Sequence, residues 1–178
     1  MHCVTERVVV VPGRMFGPFA PLLMYVSLVF ENRGGAIAPV SWEPPDGADV
    51  AWVRGQVLPV VERHRATVIV GKSLGSNAAT IAAERGLPGV WLTPLLLSPV
   101  VVDALRAASA PQLLIGGTGD KLAWDGELAR ELSPHVLEID GADHGMLLPG
   151  VPLARSAEVL GRVATAVEHF ADHVLSQT

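Results

Sequence analysis

The sequence predicts an α/β protein: a three-layer α/β/α sandwich around an open, mostly parallel sheet of about six strands. Two observations carry that expectation. Six short apolar runs do not alternate with polar residues and are bounded by turn residues, which suits strands buried on both faces. Longer helical stretches separate most of these runs, and strand–helix alternation implies parallel strands joined by right-handed crossovers.

The runs follow in order. Val8–Val11 is β-branched and stops at Pro12-Gly13. Gly35–Trp42 is closed by Glu43-Pro44-Pro45-Asp46-Gly47. Thr67–Val70 runs straight into a serine turn, and Val90–Leu92 ends at Thr93-Pro94. Gln112–Ile115 ends at Gly116-Gly117, and Val136–Ile139 is the sixth. Between them, Asp49 can cap a helix through His64, with Trp52, Val53, Val57, Val60 and Val61 inward and a kink at Pro59. Ser73 to Arg85 is Ala-rich and ends before Gly86; Pro99–Ala108 and Ala123–Leu132 come next. The last helix starts near Leu153 or Ser156 and carries Leu160, Val163, Val167, Phe170 and Val174 at helical spacing.

A chain of 178 residues is expected to form one domain over 1–178. Its 49% hydrophobic and 17% charged residues exclude a disordered chain. A net charge of −5 argues against a nucleic-acid partner, which would need a basic face. Cys3 is the only cysteine, so neither an internal disulfide nor a Cys-rich zinc site can form. No metal or cofactor is expected. The apolar stretch Met15–Phe30 is broken by Pro18 and Pro21 and is shorter than the roughly 20 residues that span a bilayer. The expectation is a cytoplasmic protein with no membrane partner.

Gly71-Lys72-Ser73-Leu74-Gly75 follows the third run and opens a helix. Such a strand-to-helix elbow lifts a serine hydroxyl into the open, and its glycines avoid the neighbouring strand and helix. The Leu74 N–H then lies at a helix N-terminus, a natural donor to an oxyanion. Gly-Lys-Ser also ends the phosphate-loop pattern, but position 66, where that pattern needs glycine, is Ala66.

A nucleophilic serine needs a base and an orienting acid. His144, in Gly141-Ala142-Asp143-His144-Gly145, follows the sixth run and should reach the same sheet edge. Asp120, after Gly116-Gly117-Thr118-Gly119, follows the fifth. It can orient His144 through Nδ1–H, or simply cap the next helix. Asp125 is the reserve acid, Asp143 adjoins His144 too closely, and Asp140 could orient the loop. The order Ser73, Asp120, His144 is that of one of the three common triad arrangements.

On these residues the sequence resembles the α/β-hydrolase superfamily, especially small lidless bacterial members of the esterase and dienelactone-hydrolase kind. The resemblance runs from Val8 to the last helix. It implies Ser73 as nucleophile, Asp120 as acid and His144 as base. It also implies a second oxyanion donor in Pro12–Gly17, the N–H of Arg14 or Met15. The two leading antiparallel strands of larger relatives are missing, and nothing of lid size separates Leu92 from Gln112.

The expected reaction is therefore acyl transfer to Ser73 from an ester, thioester or lactone, with a small-molecule acyl substrate as partner. A binding module that keeps the fold without turnover is the alternative. Loops at the same edge should contact substrate, with Phe16, Trp42, Thr93 and Met146 as candidates and Trp124 beside them. Lys72 and Lys121, the two lysines, either raise the local positive potential for an anionic substrate or are solvated surface groups.

Overall fold

A computed structural model describes residues 6–15 and 17–177. The strands are β1 (Arg7–Val11), β2 (Ala36–Pro39), β3 (Val68–Lys72), β4 (Gly89–Leu92), β5 (Gln112–Gly117) and β6 (His135–Ile139). They form one sheet in the order β2-β1-β3-β4-β5-β6, and every neighbouring pair is parallel. All six expected strands are present.

Unalternated apolar runs give each central strand two apolar faces. Val8, Val10, Val68 and Val70 point into one core; Val9, Val11, Ile69 and Trp91 point into the other. The first core is closed by α1 (Pro21–Glu31) and α6 (Leu153–His169). The second is closed by α2 (Val50–His64), α3 (Ala79–Arg85), α4 (Pro99–Ala107) and α5 (Gly126–Leu132). Helices on both faces make the three layers.

Several elements differ from expectation for local reasons. The Met15–Phe30 stretch contains α1, the crossover from β1 to β2, with Leu22, Leu23, Val26 and Phe30 buried. Pro21 does not break this helix because it starts it, where a missing N–H removes no helical bond. Helix α2 is capped by Asp49, whose side chain accepts the Trp52 N–H at 2.9 Å, and it runs through Pro59 to His64. Trp52 and Val60 are only partly buried, whereas Val53, Val57 and Val61 are in the core. Residues Ser73–Ala78 form a 3₁₀ helix before α3, not an α-helix. Helix α5 starts at Gly126 rather than Ala123, because Asp125 accepts the Leu128 N–H and caps it there. Beyond α6 the chain widens into a π turn, Phe170–Val174, and then tightens into a 3₁₀ turn, Leu175–Gln177. No helix of the described residues is long and apolar enough to cross a membrane.

The chain leaves β1 for β2 on one side and returns to β3 on the other. That reversal opens a crevice beyond the carboxyl ends of β1 and β3, the usual ligand position in open α/β sheets.

Candidate active site

Ser73 stands at the crevice, immediately after β3. Its φ of +50° lies in the left-handed region, which a non-glycine residue rarely occupies. Two glycines make the turn possible. A Cβ at Gly71 would lie 2.7 Å from the Trp91 ring and 2.8 Å from Gly75 O. One at Gly75 would lie 2.5 Å from Val11 O and 2.7 Å from Pro12 O, so the helix start can rest directly on the end of β1. Ser76 and Asn77 then brace the turn: Ser76 Oγ donates to Ser73 O at 2.6 Å and accepts from Leu95 N–H at 3.1 Å, and Asn77 Nδ2 donates to Leu74 O at 2.9 Å.

The loops after β5 and β6 bring two more groups to Ser73. His144 Nε2 lies 2.8 Å from Ser73 Oγ, and His144 Nδ1 lies 2.7 Å from Asp120 Oδ2. The Asp120 side chain is fully buried, while 29% of the His144 side chain is exposed. Asp120 Oδ1 also accepts the N–H groups of Leu122 and Ala123, at 3.1 and 3.2 Å. Asp120 thus does both things its position allowed: it shapes its own turn with one oxygen and holds the imidazole with the other.

The two loops interlock through glycine. A Cβ at Gly117 would lie 2.6 Å from Ala142 Cβ, and one at Gly119 would lie 2.7 Å from Gly141 O. Across this contact Gly119 N–H donates to Ala142 O at 3.0 Å. Thr118 Oγ1 accepts from Gly141 N–H at 2.8 Å and donates to Asp140 at 2.9 Å. Asp143 folds the loop around His144 by accepting the N–H groups of Gly145 and Leu147, at 2.8 and 3.0 Å. Asp125 is a helix cap and takes no part.

The loop after β1 passes over the serine. A Cβ at Gly13 would lie 3.5 Å from Ser73 Cβ. Arg14 and Met15 follow it, both exposed. The segment between β2 and α2 ties this turn down twice: Trp42 Nε1 donates to Gly13 O at 3.0 Å, and Arg14 Nη1 donates to Pro45 O at 2.9 Å. The Trp42 ring packs on Trp52, 5.1 Å between centroids.

The expected substrate contacts need correction. Thr93 is fully buried and Met146 is 1% exposed within the first core, so neither lines an open site. Both sit at positive φ, +43° and +61°, where the chain turns sharply after β4 and β6. Trp124 lies against the α-carbon of Gly116 and donates its indole N–H to Glu138 at 2.7 Å. Trp42 supports the Gly13 turn. Phe16 lies outside the described residues. Lys72 is buried, at 6% exposure, and cannot reach a substrate in solvent; Lys121 is exposed and donates to Thr118 O. Sequence reasoning missed two roles: Thr93 Oγ1 accepts from the buried Lys72 Nζ at 3.3 Å, and Asp143 folds the His144 loop. The signal available was the threonine directly after β4 and the aspartate two residues before a glycine.

Chemically, the arrangement pairs a hydroxyl with an imidazole whose other nitrogen meets a buried carboxylate. That is the hydrogen-bonding pattern a serine nucleophile needs. No protein-family profile matches the chain, and no curated protein matches it. Solved structures do. It is 22% identical to a dienelactone hydrolase from Anabaena variabilis, covering 97% of this chain and 88% of that one, with a TM-score of 0.71. It is 15% identical to Est1E from Butyrivibrio proteoclasticus, covering 96% and 88%, with a TM-score of 0.73; Est1E has also been solved with ferulic acid bound. It is 14% identical to mouse alpha/beta hydrolase domain-containing protein 10, covering 94% and 90%, with a TM-score of 0.69.

Proposed function

We propose that this chain, which has the α/β-hydrolase fold, is a serine hydrolase that cleaves an ester, thioester or lactone through an acyl-enzyme on Ser73. The observation that carries this reading is the continuous line from Ser73 Oγ through His144 to Asp120, at 2.8 and 2.7 Å.

Ser73 Oγ attacks the acyl carbonyl while His144 Nε2 takes its proton. Asp120 accepts the Nδ1–H and offsets the imidazolium charge. The carbonyl oxygen becomes an oxyanion held by the N–H of Leu74 and by that of Arg14 or Met15. Two observations support this. Lys72, which precedes the 3₁₀ helix that begins at Ser73, gives it no side-chain cap, and such a helix start offers N–H groups to an acceptor. The Gly13 turn also lies directly over Ser73. Collapse of the intermediate expels the leaving group, which takes the proton from His144. Water then gives its proton to the same nitrogen and attacks the acyl-enzyme, restoring Ser73.

The substrate is a small molecule with an apolar acyl group. In support, large apolar side chains are exposed on loops at the carboxyl edge: Met15 and Phe19 after β1, Leu97 after β4, Leu122 after β5 and Leu147 after β6. Apolar side chains left exposed at the edge that carries Ser73 suit contact with an apolar acyl chain. A cytoplasmic setting goes with this reading, since a lone cysteine makes no internal disulfide.

A fluorophosphonate probe and a panel of acyl esters, thioesters and lactones test the proposal. Wild type should label at Ser73 and turn over at least one class, and Ser73→Ala should do neither. Labelling that persists in Ser73→Ala sinks the assignment. A protein that neither labels nor turns over any of them is the binding module instead.

A further inference from the structure

Acyl transfer as written leaves Lys72 unused, although it adjoins the nucleophile. Its side chain is buried beneath the site. Nζ donates to Thr93 Oγ1 at 3.3 Å and to His144 O at 3.2 Å. One ammonium therefore joins the end of β3 to the loops after β4 and β6. The charged and titratable groups that face it are Asp120 from the β5 loop and Asp143 and His144 from the β6 loop. Among the described residues, Gly13 of the β1 loop and Thr93 of the β4 loop, both uncharged, lie against it.

An ammonium is expensive to bury, and a methylene chain alone would fill the same space. The expense is present here: burial pulls the Lys72 pKa below its ordinary value of 10.5, against the opposing pull of Asp120 and Asp143. The return is attachment. Asp143 shapes the His144 loop from within, but its bonds stay inside that loop. Among the hydrogen bonds of the described residues, the one from Lys72 to His144 O is the one that ties the loop's backbone to the strand carrying Ser73.

We propose that Lys72 is a positioning residue: its ammonium, steadied by Thr93, latches the main chain of His144 and so keeps the imidazole between Ser73 and Asp120. The activity readout of this inference rests on the hydrolase reading above. Lys72 acts through His144 and does not touch substrate.

Lys72→Met keeps the bulk and removes the donors. Its kcat per fluorophosphonate-titrated site should fall by about 10–100-fold, the scale of a displacement near 1 Å at a reacting group, with KM changed by no more than about two-fold. Its Tm should stay within about 4 °C of wild type, because lost hydrogen bonds and relieved burial oppose each other. A lysine that merely supports the fold gives the reverse, a large fall in Tm with unchanged kcat per site, and that result overturns the proposal. Thr93→Val, which spares the lysine, should give a smaller loss of kcat; if Lys72→Met does not fold, an unchanged kcat in Thr93→Val overturns the proposal by itself. The His144 Nδ1 proton provides a readout independent of turnover. Proton NMR should show it sharp and downfield in wild type and broadened in Lys72→Met, and an unbroadened signal in the folded variant counts against the latch. Absence of Ser73-dependent turnover in wild type removes the hydrolase reading, and the NMR comparison then decides the latch.

Discussion

Trp42 donates its indole N–H to Gly13 O at 3.0 Å, and so fixes the turn that lies over Ser73. The bond crosses from the β2–α2 segment to the β1 loop, and the Arg14 guanidinium returns the tie by donating to Pro45 O. An oxyanion donor is useful only if it is held before the reaction starts.

Trp42→Phe keeps the packing on Trp52 and removes the donor. The hydrogen bond contributes about 1 kcal/mol to stability, so Tm should fall by only about 2–4 °C. Turnover should fall more, by about 10-fold, as the Gly13 turn loosens. Steady-state kinetics beside a thermal melt separate the two effects; equal small losses in both would deny the turn its role.

Asp120→Asn preserves the shape of the buried carboxylate and changes what it can accept. The amide stabilises the imidazolium less and favours the wrong imidazole tautomer. Turnover should fall by roughly 10⁴-fold with the fold retained. Active-site titration with the probe, followed by kcat on the best ester, checks this. A loss below about ten-fold would point to another acid, for which Asp125 and Asp143 are poorly placed.

Gly117→Ala forces a Cβ into Ala142 and pushes the acid loop away from the histidine loop. It should cost about 1–3 kcal/mol and lower turnover together with stability. Gly161→Ala is the contrast. It lies within α6 with nothing within 4 Å of the added carbon, so it should add about 0.5–1 kcal/mol and leave turnover unchanged. Chemical denaturation of both variants tests the pair.

The buried Lys72 ammonium makes stability depend on alkaline pH. Its folded pKa is lowered from 10.5, so between the lowered value and 10.5 the unfolded chain binds more protons than the folded one. Stability contributed by this group therefore rises with pH across that window, and the full penalty is present below it. The Tm difference between wild type and Lys72→Met should shift in favour of wild type as pH rises toward 10.5. A difference that is flat across that range would mean that Lys72 titrates normally.

The sequence by itself determined the strands, their parallel pairing and the three residues, Ser73, His144 and Asp120, that the sheet edge brings together. Each is written locally: an apolar run, then a turn, then a chemical group in that turn, as in Thr67–Ser73, Gln112–Asp120 and Val136–His144. Topology does the rest, because consecutive parallel strands deliver every following loop to one edge. Only the tertiary structure decided which loop side chains are exposed. Lys72, Thr93 and Met146 look alike in sequence to residues that would line a site, yet all three are buried. Their surroundings come from distant parts of the chain: Lys72 meets His144 from 72 positions away. Likewise Gly117 and Gly119 read as ordinary turn residues until Ala142 and Gly141 are packed against them. Burial and close approach depend on neighbours that no local window contains, so the nucleophile turn was legible while the purpose of its lysine was not.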